Sequence, residues 1–139
     1  MKLVIDTNVL LSGSLWNGLA AKLIDVVLDG EATLYTSDDL LAELTDVLQR
    51  ERFRERLQQS RLDTAKIVAQ FREVAQLVEP VAITVPVALR DADDIHVLAC
   101  ALSATADMIV TSDQDLLVLG VFEGIPIVDI TEAIRRLGL

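Results

Sequence analysis

The spacing of apolar positions along the chain changes from one stretch to the next. "LVI" at residues 3–5 is a continuous apolar run with β-branched residues, the pattern of a short strand buried on both faces. "DTN" interrupts it, and the apolar character resumes at Val9, Leu10 and Leu11. "GLAAKLIDVVLDGE" then places Leu19, Leu23, Val26 and Val27 at helical spacing, with Gly30 marking the end. "ATLYTS" reads as a strand, and "SDDLLAELTDVLQR" as a helix with Leu40, Leu41, Leu44, Val47 and Leu48 on one face. The charged stretch "ERFRERLQQS" leads into the amphipathic "RLDTAKIVAQFREVAQLV", closed by Pro80. "VAITVPV" reads as a strand or extended segment. "DADDIHVLACALSATA" predicts a helix, "DMIVTSD" a strand, "DQDLLVLG" a short turn or helix, "IPIVDI" a last strand and "TEAIRRLGL" a terminal helix.

Strands alternating with helices predict an α/β layer fold with a largely parallel sheet. Sheets of this kind place their ligand sites beyond the carboxyl ends of the strands. Asp6 and Asp113 both fall there. With no repeat, linker or low-complexity tract, residues 1–139 are expected to form one domain. A hydrophobic share of 52% excludes a disordered chain. Asp6 argues against a signal peptide, and no apolar run approaches the ~20 residues of a membrane span. The single cysteine, Cys100, suits a reducing cytoplasm and excludes an internal disulfide. A net charge of −10 disfavours nucleic acid on its face, because its binders usually present a basic stripe.

Four acids deserve comparison with their plainer alternatives. Asp6, at the end of the first strand, could bond the amides of the next turn. Glu43 falls at the edge of its helix's apolar stripe, so it could face a cleft or solvent. Asp94 opens a helix on the face of Leu98 and Ala101, yet Asp91 and Asp94 also have the spacing of a capping box. Asp113 could cap the short segment after it, and Asp115 competes with it for any role. "DADD" nevertheless crowds three acids onto one turn, Asp91, Asp93 and Asp94, which is costly unless a cation offsets them. One shared site explains the four acids more simply than four independent local explanations. The remedy for clustered carboxylates is a hard cation with oxygen ligands, Mg²⁺ or Mn²⁺. His96 and Cys100 are the only other ligand types, so zinc is not expected; His96 reads as surface and Cys100 as packed helix.

"VIDTNVLLSG", "TSDDLLAEL", "DADDIHVLACALSATADMIVTSDQDLL" and "GIPIVDITEAI" together resemble the PIN domain family, and within it the VapC-like toxin ribonucleases. Order, spacing and length fit along the whole chain, and an Asp-rich "RDADD" turn stands where simpler relatives have a single Asp. The resemblance implies a three-layer α/β/α sandwich around a mostly parallel sheet. By position, Asp6, Glu43, Asp94 and Asp113 match the family's acidic quartet, with Asp6, Asp94 and Asp113 as main metal ligands. Thr7, Asn8 and Thr111 match its supporting polar residues, and Asp91, Asp93 and Asp115 stand close by.

The implied activity is Mg²⁺- or Mn²⁺-dependent hydrolysis of RNA by a cytoplasmic toxin, with no membrane partner. A cognate antitoxin would then occupy the cleft, and a homodimer could use the apolar residues of "LLSGSLW", Trp16 included. Arg50, Arg52, Arg54, Arg56 and Arg61 concentrate positive charge, and Glu51 and Glu55 are expected to pair with them on a solvated face. A haloacid-dehalogenase-type phosphatase would need an acid where Asn8 stands. A receiver domain would need a late lysine, whereas Lys2, Lys22 and Lys66 all come early. The remaining alternative is a PIN-fold module that binds RNA or protein without cutting.

Overall fold

In a computed structural model of the chain, which describes residues 1–84, 89 and 91–139, strand β1 (Lys2–Ile5) lies inside a six-stranded sheet. Helices α1 (Thr7–Leu15) and α2 (Leu19–Leu28) lead from it to β2 (Thr33–Thr36). Then α3 (Asp38–Leu48), α4 (Glu51–Gln59) and α5 (Thr64–Val74) lead to the edge strand β3 (Gln76–Leu77). After α6 (Ala92–Ala104) come β4 (Met108–Val110), α7 (Gln114–Leu119), β5 (Val121–Phe122), β6 (Ile125–Val128) and α8 (Ile130–Arg136). The strand order is β3-β2-β1-β4-β6-β5. Pairing is parallel except between β5 and β6.

The pleat of the strands divides the core into two layers. Leu3 and Ile5, with Met108, Val110 and Val128, face a core built with α1, α2, α5 and α8. Val4, Ile109 and Ile127 face the opposite core, built largely with α6 and α7. The result is the three-layer α/β/α arrangement, with apolar side chains buried on both sides of the central strands. Helix α3 contributes to both cores, Leu40 to one and Leu41, Leu44, Val47 and Leu48 to the other. That straddling position brings its half-buried Glu43 to the carboxyl end of the sheet.

Three elements differ from the sequence reading. The residues after Asp6 form a full helix, α1, whose Thr7, Val9, Leu10, Leu11 and Leu15 are all buried. Its apolar positions surround the axis instead of forming one stripe, so no helical period announces it. The helix expected to run to Val78 stops at Val74, because Gln76 and Leu77 pair with β2. β5 was not expected either; it is a two-residue antiparallel edge closed by the turn at Glu123 and Gly124, both at positive φ. Of the segment expected to be extended at residues 81–87, residues 81–84 form no strand and residues 85–87 lie outside the described residues, as does Arg90 of the Asp-rich turn.

Candidate active site

β1 lies between β2 and β4, so the chain leaves its carboxyl end at a point where connections diverge to either side, the usual place for a ligand crevice in such sheets. Asp6 and Thr111 stand at the ends of β1 and β4 and are still held by the sheet. Asp6 N donates to Val110 O at 2.9 Å, and Thr111 N to Val128 O at 3.0 Å. Asp6 is the residue before α1, and its carbonyl accepts from the amides of Val9 and Leu10. Its side chain makes no capping bond. Instead the Thr111 hydroxyl donates to Asp6 Oδ2 at 2.7 Å, and the same Oγ1 accepts from Asp113 N at 3.0 Å.

The capping alternative holds for two of the acids. Asp91 Oδ1 accepts from Asp93 N at 2.9 Å and caps α6, while Asp113 Oδ1 accepts from Asp115 N at 2.8 Å and caps α7. For Asp6 and Asp94 it fails. Both are buried, 4% and 3% exposed, and Asp94 Oδ2 has no hydrogen-bond partner. Glu43 Oε2 and Thr7 Oγ1 are also buried and unpartnered.

These residues converge on one pocket of about 200 Å³. Asp6, Glu43, Asp91, Asp93, Asp94 and Asp113 line it with Asn8, Val47, Arg50 and Arg52. Carboxylate oxygens of Asp94, Asp113 and Asp115 also lie within 4.8 Å of one another. Burial raises the pKa of Asp6 above the ordinary aspartate range, the charges of Asp113 and Asp93 add to this, and the Thr111 hydroxyl opposes it. Glu43 is pushed up to about 7, first by burial and then by the charges of Asp93 and Asp6. The Thr7 hydroxyl lies near enough to offset part of that rise without meeting hydrogen-bond geometry. Asp94 is likewise raised, by burial and by the adjoining Asp113 carboxyl.

Leaving buried carboxylate oxygens unpaired is expensive, and mutual repulsion adds to the cost. An oxygen-rich cluster with two orphaned carboxylate oxygens fits a hard divalent cation of the Mg²⁺ or Mn²⁺ kind. Sulfur and imidazole ligands are absent from the pocket lining. Cys100 is fully buried in the α6 core and pushed up to about 12, an inert thiol. His96, half-buried, faces Asp39 at 3.6 Å.

Thus the structure brings Asp6, Asn8, Glu43, Asp94 and Asp113 to one pocket, with Thr7 and Thr111 packed beneath and Asp91 and Asp93 on its wall. Asp115 reaches Asp94 and Asp113 although it lies two residues further from the strand end than Asp113. Arg50 and Arg52 are exposed, as expected of a solvated face, but they line the pocket and do not pair with the neighbouring glutamates. Among the described residues, neither Glu51 nor Glu55 forms an ion pair, and Arg50 approaches Asp46 at 3.9 Å. Glu43, Val47 and Arg50 follow each other at i, i+4 and i+7 on one face of α3 and its end, and that spacing was the signal to read. The expected dimer segment is corrected too: Leu10, Leu11 and Leu15 are core, leaving only Trp16 of its large apolar residues exposed.

The PIN domain family model matches residues 2–115. The chain belongs to the PIN domain family. A solved structure of VapBC2 from Rickettsia felis bound to a DNA fragment from its promoter shares the fold, with a TM-score of 0.59 at 12% identity. The alignment covers 93% of this chain and 98% of the other. No curated protein matches the chain. The PIN match spans β1 to the start of α7 and so includes every acid of the pocket. No helix among the described residues is long and apolar enough to cross a membrane.

Proposed function

We propose that this PIN domain protein hydrolyses RNA phosphodiester bonds with Mg²⁺ or Mn²⁺ held by Asp6, Asp94 and Asp113, with Glu43 as proton acceptor. The observation that supports this most is the pair of buried, unpartnered oxygens, Glu43 Oε2 and Asp94 Oδ2, in a pocket of acids. Bound there, a divalent ion would acidify a water and neutralise charge developing on the phosphate oxygens.

The chain's own residues divide the remaining work. Thr111 orients the Asp6 carboxylate and, through the Asp113 amide, fixes the turn that presents the second acid. Asp91 and Asp113 each use one oxygen on a helix amide, which holds the acidic turns rigid. Glu43, half-buried with its unpartnered Oε2 among the acids of the pocket, is placed to take a proton from an attacking water. Arg50 and Arg52 put positive charge beside the acids and supply the phosphate attraction that a chain of net charge −10 otherwise lacks.

The biological role we propose is that of a toxin in a toxin–antitoxin pair, acting in the cytoplasm. The structural likeness to VapBC2 is in keeping with it. The cognate antitoxin would cover the pocket and place a basic side chain among its acids. Pairing of two copies would use a face other than the "LLSGSL" segment, whose leucines are core.

Incubation of a mixed RNA with wild type, Asp6→Asn and Asp94→Asn tests the activity, in Mg²⁺, in Mn²⁺ and in EDTA. Cutting that needs metal and disappears in both variants is expected. Folded wild type that leaves RNA intact, or cutting that survives both substitutions, would overturn it in favour of a binding module.

A further inference from the structure

We propose that the face of α4 carrying Arg52 and Arg56, together with the exposed indole of Trp16, is the track along which single-stranded RNA reaches the acidic pocket. This rests on the nuclease reading above and adds the form of the substrate and the path it takes.

Two observations meet at Phe53. Arg52 lines the pocket and sets its guanidinium over the Phe53 ring, 4.7 Å from the centroid. Trp16 stands edge-on to the same ring, with centroids 6.3 Å apart. Arg56 then lies over the indole at 5.6 Å, held there by its Nε, which donates to Leu15 O at 2.7 Å. Arg52 and Arg56 are four residues apart on one helix, neighbours on one face and ~6 Å apart along the axis. A continuous row therefore runs from the acids through Arg52 to Arg56 and Trp16.

Trp16 is 44% exposed, yet its ring is held by a second aromatic ring and a guanidinium. An open aromatic beside arginines free of carboxylate partners is what single-stranded nucleic acid uses, since every base has a face to stack and every link a phosphate to pair. Neither Arg52 nor Arg56 forms an ion pair among the described residues. A second copy of this acidic chain is a poorer occupant, because the track is the basic part of a molecule of net charge −10 and continues into the pocket. A duplex would have no unstacked base to offer Trp16.

Trp16 is the sole tryptophan, so its emission reports on this face alone. The test titrates an oligouridylate of eight nucleotides into the Asp6→Asn protein in Mg²⁺. It follows tryptophan emission with unlabelled RNA and anisotropy with labelled RNA. Quenching and anisotropy should give one dissociation constant. Trp16→Ala should weaken it about tenfold, the scale of one lost base stack, while Trp16→Phe retains most of the affinity. Arg52→Ala and Arg56→Ala should each lower the salt dependence by ~0.7 in slope, one phosphate contact apiece. Binding that leaves the emission unchanged and is insensitive to both arginine substitutions would overturn the track and leave the nuclease reading standing. No binding by any form at low salt would overturn both. Emission that changes with protein concentration alone, together with a doubling of mass in light scattering, would make this face an interface between copies and overturn the proposal.

Discussion

The hydroxyl of Thr111 joins the ends of the two central strands: it donates to Asp6 Oδ2 at 2.7 Å and accepts from Asp113 N at 3.0 Å. Because Thr111 is fully buried, water cannot replace either bond. Thr111→Val keeps the shape and removes both. Stability should fall by about 1–3 kcal/mol, the cost of stranding a buried acceptor. Apparent metal affinity should fall by about 10–100-fold, as for loss of a residue that orients a ligand. Denaturant unfolding and a metal titration of the same variant check the two parts.

The metal-free protein should lose stability as pH rises from 5 to 8. The folded pKa of Glu43, about 7, lies above its ordinary value, and Asp6 and Asp94 are raised as well. Between the ordinary carboxylate range and pH 7 the folded state therefore binds more protons than the unfolded chain, and stability falls with increasing pH. Glu132, held down at about 2 by Arg135 and Arg136, titrates below this window and does not interfere. Thermal melts at each pH should fall in EDTA and flatten in saturating Mg²⁺, because the cation competes with the protons.

Asp94→Asn should separate stability from function. With its unpartnered Oδ2 beside Asp113, the carboxylate is a burden on the empty fold. The amide removes that charge, so the variant should be more stable than wild type at pH 8 in EDTA, on the order of 1–2 kcal/mol. RNA cleavage by the same preparation should be lost. A destabilised variant would show that the charge is better compensated than its surroundings indicate.

Gly13 sits in α1 where that helix crosses α2. A Cβ there would meet Ile24 Cγ1 at 2.5 Å and the Ala20 carbonyl oxygen at 2.7 Å, and the second of these is backbone. Alanine normally improves a helix interior by ~1 kcal/mol over glycine. At this position Gly13→Ala should instead destabilise by about 1–3 kcal/mol, the scale of overpacking, as circular dichroism melts would register.

Much of the acidic pocket was legible because its acids follow strand ends and helix starts. Asp6 and Asp113 each close an apolar strand, and "DADD" announces a charged turn. What the pattern hid has physical causes. Helix α1 is buried around most of its circumference, so the usual one-sided stripe is missing. β3 and β5 have two residues each, too few to show alternation. The arginines of "RERFRER" look like partners for their neighbouring glutamates, yet Arg50 and Arg52 turn to the pocket because α3 ends at its rim. Asp115, a competitor of Asp113 in the sequence, reaches the same cluster because the first turn of α7 folds back on the strand end.

The most direct test is a calorimetric titration of Mn²⁺ into metal-free protein at pH 8, with wild type beside Asp6→Asn and Asp94→Asn. Wild type should bind Mn²⁺, release fewer protons at pH 8 than at pH 6, and bind more tightly at the higher pH; either substitution should weaken binding about tenfold or more. Wild type that binds no Mn²⁺ at millimolar concentration, or variants that bind it equally well, would contradict the assignment of Asp6, Asp94 and Asp113 to a cation.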